Sequence, residues 1–165
     1  MKLPLVVERK KHPILDAHEI VPNLWQGSIP PMGSGLAAAG FDYVVLCARE
    51  YQPPADAFRG VQVIHAPNDD DPRRPASREM LRTALEVARE VSVAMHRSRN
   101  CLVTCAAGMN RSGLVSALAL HLAFDWAGLK CIQTVRERRG PAGDGYQPLS
   151  NPQFVAALQQ LRPKR

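Results

Sequence analysis

One loop constrains this chain more than any other feature: it carries a cysteine and an arginine between a short apolar strand and a long apolar helix. Cys101-Leu102-Val103-Thr104 reads as a buried strand, and Leu114-Val115-Ser116-Ala117-Leu118-Ala119-Leu120 as a helix with no polar face. Between them lies Cys105-Ala106-Ala107-Gly108-Met109-Asn110-Arg111-Ser112-Gly113. A tight strand-to-helix loop is a unit of α/β architecture, so an all-α or all-β fold is disfavoured from the start. The loop also opens a helix, where free N–H groups and the positive end of the helix dipole converge, and Gly108 supplies a point of tight bending. The sequence therefore predicts an anion cradle.

Cys105 sits where a helix N-terminus and a nearby arginine favour the thiolate, the reactive form of the side chain. Arg111, six residues on, can fold back and present a planar fork of donors to two oxygens of a phosphate. Ser112 can donate to the sulfur and improve it as a leaving group. The other three cysteines are an internal control, because Cys47, Cys101 and Cys131 are followed at the same offset by Pro53, Ala107 and Glu137. Cys101 and Cys131 are weighed as thiols that could protect Cys105 from oxidation, with a buried structural role the more economical reading.

The rest of the chain alternates short strands with helices. Leu36 to Ala39 reads as a short helix closed by Gly40, Tyr43 to Leu46 as a strand, and Val61 to Ile64 as another. Ser77 is an N-cap candidate for a long amphipathic helix over 78–96. Helices follow over 111–126 and 129–138, and a last one opens with Asn151 as N-cap and Pro152 in its first turn. This pattern predicts an α/β fold with a central, mostly parallel sheet of about four to five strands flanked by helices on both faces. Residues 1–13 read as an arm and 14–165 as one catalytic domain.

With these residues in hand, the chain resembles the cysteine-dependent protein tyrosine phosphatase superfamily, most closely its compact dual-specificity branch. The carriers are the cysteine, five residues, arginine and serine of the loop, the segment Ile20–Ser28, which looks like the family's first strand, the segment Phe41–Cys47, which looks like the strand that follows a short helix, and Ser150-Asn151-Pro152-Gln153-Phe154. The resemblance implies a phosphate monoester hydrolase working through a cysteinyl-phosphate. In it Cys105 is the nucleophile, Arg111 and the N–H groups of Ala106, Ala107, Gly108, Met109, Asn110 and Arg111 bind phosphate, and Ser112 assists thiolate departure. It implies no metal and no cofactor. Thr104 departs from the family pattern, which has histidine before the nucleophile.

A leaving alkoxide or phenoxide needs a proton, and Ala66-Pro67-Asn68-Asp69-Asp70-Asp71-Pro72 is the acidic loop that could supply it. The order Asn-Asp after a strand in dual-specificity phosphatases selects Asp69, with Asp70 and Asp71 as alternatives. Mutual repulsion among three adjacent carboxylates is expected to raise the proton affinity of at least one. Arg73 and Arg74 flank this loop as contacts for substrate anions or as solvated charges.

A formal net charge of +6 favours anionic partners. A phosphorylated protein is the expected substrate, with RNA 5′-phosphate ends or phosphoinositides as alternatives, and an inactive phosphate-binding module as the rival from another class. The basic groups Arg9-Lys10-Lys11, Arg136-Glu137-Arg138-Arg139 and Lys164-Arg165 read as solvated surface. No run approaches the length of a membrane span, and unpaired cysteine spacings suit a reducing, cytoplasmic setting.

Overall fold

The computed structural model describes residues 8–164. Its centre is a five-stranded sheet built from β1 (Ala17–Val21), β2 (Leu24–Gly27), β3 (Tyr43–Ala48), β4 (Gln62–Asn68) and β5 (Cys101–Thr104), in the spatial order β1-β2-β5-β3-β4. All neighbours are parallel except β1 and β2. The single strand expected over Ile20–Ser28 is instead the end of β1, a tight turn and β2 of a hairpin. Pro22 has no N–H to give a ladder, and Asn23 takes a left-handed φ of 72° that reverses the chain.

The long helices are α2 (Arg78–His96), α3 (Arg111–Phe124), α4 (Gly128–Arg139) and α5 (Pro152–Gln159). Ser77 accepts from the Met80 N–H and Asn151 from the Gln153 N–H, so both expected N-caps form. All four helices belong to one face. There Ala84, Val87, Ala88 and Val91 of α2 meet Val45, Val103 and the buried side chains of α3. The opposite face carries the single turn α1 (Gly35–Ala38), a 3₁₀ turn at Ala55–Ala57 and a smaller cluster that includes Trp25, Leu36, Phe41 and Phe58. Helices therefore flank the sheet on both faces, as the alternation predicts, but unequally, with the long ones on one side.

Of the expected arm, residues 1–7 lie outside the described residues. Lys11 bridges to His18, and His12 packs against Trp25 and Phe41, so this part of the arm is fixed to the edge strand. Among the described residues, no helix is long and apolar enough to cross a membrane.

This architecture fixes the position of the loop. β5 is the central strand, and its carboxyl end delivers Cys105 between the ends of β2 and β3. α3 is buried from Arg111 to Leu120, which explains its lack of a polar face.

Candidate active site

The loop from Cys105 to Asn110 is held from beneath by its carbonyls and left open through its amides. The Cys105 N–H donates to Gly27 O at 3.2 Å, continuing the β2 pairing. Beyond it, among the described residues, the N–H groups of Ala106 to Asn110 donate to no protein acceptor. The Gly108 carbonyl accepts from Gln26 Nε2 and from Arg139 Nε, both at 3.0 Å. The Ala107 carbonyl accepts from Arg139 Nη2 at 3.2 Å. With carbonyls engaged below, the amides are free to face a ligand. Gly108 has φ +70°, and a Cβ there would fall 2.5 Å from the carbonyl carbon of Gly27. Only glycine fits.

Cys105 is 4% exposed and its Sγ lies 3.2 Å from the Ser112 Oγ. Burial pushes the thiol of Cys101 up to about 12 and that of Cys131 up to about 11, and drives that of Cys47 well above its ordinary value. Neither Cys101 nor Cys131, the two thiols weighed as protectors, is therefore a ready thiolate. Thr104 does not stand in for a histidine at the sulfur, because its Oγ1 donates to Val45 O at 2.7 Å.

Arg111 is gripped by Glu50, which the sequence reading did not single out. Arg111 Nη1 and Nη2 each donate to a Glu50 carboxylate oxygen at 2.6 Å, and Nη1 also donates to Asn68 O at 3.1 Å. Hydrogen bonds from Arg111 hold the Glu50 carboxyl down at about 2, and the same pairing raises the guanidinium. Arg111 Nε is buried without a partner. A fixed guanidinium with one unspent buried donor beside free amides is suited to an anion.

The three aspartates separate. Asp69 turns outward, its carboxylate 67% exposed and paired with Arg49 at 2.8 Å. Asp71 pairs with Arg73 and Arg74. Hydrogen bonds from the backbone and side chain of Arg73 hold it below the usual carboxylate range, the reverse of the expected effect of crowding. Arg73 and Arg74 are themselves 86% exposed. Asp70 alone is tied to the loop: Asn110 Nδ2 donates to its Oδ2 at 3.0 Å and Asn151 Nδ2 to its Oδ1 at 2.7 Å. Its charge also reaches Arg111. Asn110 further donates to the Tyr146 hydroxyl and accepts from the Asn151 N–H, so loop, acidic segment and the start of α5 form one network.

Arg139 corrects the reading of the Arg136–Arg139 group as solvated surface. It is 2% exposed, and Arg136 bonds the carbonyls of Pro148 and Leu149. A signal was available: Arg139 shares the helical spacing of Cys131, Ile132 and Val135, which places a charge on an apolar face.

No family model and no curated protein matches the sequence. Solved structures do. The protein is similar to human DUSP28 at TM-score 0.70 and 25% identity, over 94% of this chain and 97% of that one. The fold is that of the dual-specificity phosphatases. A mouse putative dual specificity phosphatase complexed with zinc tungstate matches at TM-score 0.70 and 23% identity, over 94% of this chain and 92% of that one. PTPMT1 in complex with PI(5)P matches at 0.67 and 14%, over 88% and 94%. The resemblance to the cysteine-dependent protein tyrosine phosphatase superfamily thus extends over nearly the whole dual-specificity phosphatase fold.

Proposed function

We propose that this protein is a cysteine-dependent phosphatase that hydrolyses phosphate monoesters, with a phosphorylated protein side chain (phosphotyrosine, phosphoserine or phosphothreonine) as its substrate. The observation that carries this reading is the pairing of Cys105 and Ser112 at 3.2 Å beneath a loop of unspent amides, with Arg111 Nε unpartnered beside it.

In this mechanism the amides of Ala106 to Arg111 and the Arg111 guanidinium hold the phosphate dianion. The Cys105 thiolate attacks phosphorus in line, forming the S–P bond as the P–O bond to the leaving group breaks. The donors face the equatorial oxygens, where charge accumulates in the transition state. A carboxylic acid protonates the leaving oxygen. The contacts favour Asp70 for that role over Asp69, since Asp70 is held against the loop by Asn110 and Asn151 while Asp69 is turned to Arg49. Asp70, now a carboxylate, then takes a proton from water as the water attacks phosphorus, and Ser112 donates to the departing thiolate. No step calls for a metal or a cofactor. Because the thiolate must stay reduced, a cytoplasmic setting suits this chemistry.

The test is hydrolysis of an aryl phosphate by wild type and Cys105→Ser, in chelator, with vanadate as inhibitor. Vanadate-sensitive turnover that disappears in the variant supports the reading. A second reading has one observation in its favour: Thr104 spends its hydroxyl on Val45, so nothing from that position tunes the thiolate. A folded protein that binds phosphate without turnover between pH 5 and 8 would make it a phosphate-binding module. Turnover of a phosphoinositide, the class bound by PTPMT1 in its complex, or of an RNA 5′-phosphate end, in preference to phosphopeptide would keep the chemistry and change the substrate.

A further inference from the structure

The proposed reaction uses Arg111, yet among the described residues the most fully engaged guanidinium belongs to Arg139, at the last turn of α4. Its donors all find acceptors. Nε reaches Gly108 O at 3.0 Å, Nη2 reaches Ala107 O at 3.2 Å and Asp16 Oδ2 at 3.1 Å, and Nη1 reaches Asp16 Oδ1 at 3.1 Å and His18 Nδ1 at 2.9 Å. Burial and the neighbouring positive charges of Arg139 and Arg9 push the His18 ring down to about 4, which keeps it a neutral acceptor for Arg139 at ordinary pH. Asp16 is raised by burial but lowered more by Arg139, so it stays a carboxylate.

A peptide plane has two ends, and fixing its carbonyl fixes its N–H. The Ala107 and Gly108 carbonyls point down to Arg139 and Gln26, so the N–H groups at the other ends of the same peptide planes, those of Gly108 and Met109, are turned the other way. Without those donors, either plane can rotate and present a carbonyl oxygen to the bound anion, replacing an attraction by a repulsion. We propose that Arg139, locked by Asp16 and assisted by Gln26, is a positioning residue that sets the orientation of the phosphate-loop amides and so governs transition-state binding. This rests on the phosphatase reading above. It assigns a role to a residue that touches neither substrate nor nucleophile, and it makes the edge strand β1 part of the machinery.

A purely structural role and a positioning role predict different measurements. With wild type, Arg139→Met and Arg139→Lys, one measures kcat and KM on an aryl phosphate, inhibition by vanadate and by inorganic phosphate, and melting temperature. Positioning predicts that Arg139→Met loses about 10- to 100-fold in kcat and a comparable factor in vanadate affinity, with phosphate affinity changed much less, because vanadate mimics the transition state. Arg139→Lys, which can reach one carbonyl, should recover part of the loss. If Arg139→Met lowers only the melting temperature, leaving kcat and vanadate affinity per folded molecule intact, the proposal is overturned. Should that variant fail to fold, Asp16→Asn decides: its carboxylate is 57% exposed, so the fold survives, and an unchanged kcat and vanadate affinity would again overturn the proposal. A wild type that neither turns over nor binds vanadate would instead defeat the phosphatase reading, and the proposal with it.

Discussion

Two arginines approach the phosphate loop from opposite sides, and they are built alike up to one atom. Arg111 and Arg139 are both buried, and each is gripped through two nitrogens by a carboxylate that is more than half exposed, Glu50 at 54% and Asp16 at 57%. Arg139 spends every donor on the protein, whereas Arg111 leaves Nε buried and unpaired. A saturated guanidinium is a strut, and an unsaturated one is an invitation to a ligand. A buried donor without a protein partner costs about 1–3 kcal/mol, and under the proposed function a phosphate oxygen bound at Arg111 Nε would offset that cost.

The sharpest way to break this comparison is to remove each arginine in turn. Arg111→Met should lower kcat/KM by about 10³-fold or more with a smaller loss of stability than Arg139→Met, because it gives up the Glu50 pair but leaves that half-exposed carboxylate facing water and removes a buried Nε that had no partner. Arg139→Met should instead destabilise by about 1–3 kcal/mol for each carbonyl it orphans, with the smaller kinetic loss described above. Denaturant unfolding beside steady-state kinetics checks both. Equal losses of activity and stability at the two positions would erase the distinction.

Next in size is the acid. Asp70→Asn should cost about 10²-fold on alkyl phosphates, whose leaving groups need the proton, and less on aryl phosphates with good leaving groups. Asp69→Asn should stay within about twofold on both, since it removes only a solvent-exposed ion pair. The reverse order would return the role to Asp69.

Glu50→Gln tests how firmly Arg111 must be held, and a loss of about tenfold in kcat/KM is expected from a guanidinium that can wander. The Glu50 pair also has a pH signature. Its folded carboxyl is lowered to about 2, below the ordinary value of 4.5, so its stabilisation is complete above about pH 4.5 and fades as pH falls through 2. Wild type and Glu50→Gln should therefore converge in stability at the acid end of a pH titration. The smallest effect belongs to Thr104→Val, which should cost about 1 kcal/mol through the lost bond to Val45 and leave kcat within about twofold.

The cysteine, the arginine and the helix that follows were legible in the sequence because they are local. Spacing along the chain and apolar periodicity are properties of neighbouring residues, and they place Cys105, Arg111 and Ser112 on one loop without reference to anything distant. Ser77 and Asn151 were legible for the same reason, since a cap acts within its own first turn. The hairpin at Pro22-Asn23 was missed although its signal is local, because the whole segment Ile20–Ser28 resembles a single strand of the family. Arg139 was missed because the charges beside it, Arg136, Glu137 and Arg138, look like a solvated face, and only its position relative to Val135 says otherwise.

The acid shows where local reading stops. Asp69, Asp70 and Asp71 are chemically identical in the sequence, and what separates them is the position of partners far along the chain: Arg49 for the first, Asn110 and Asn151 for the second. Glu50 likewise acquires meaning only because β3 and β5 are adjacent strands whose carboxyl ends bring it to Arg111. By itself the sequence determined that Cys105, Arg111 and Ser112 sit together where a buried strand passes into an apolar helix, and that the sheet is mostly parallel. Tertiary structure decided which carboxylate is tied to the loop, which arginine is fully spent and which keeps its Nε unpartnered, because those answers depend on distances between residues that the chain brings together only by folding.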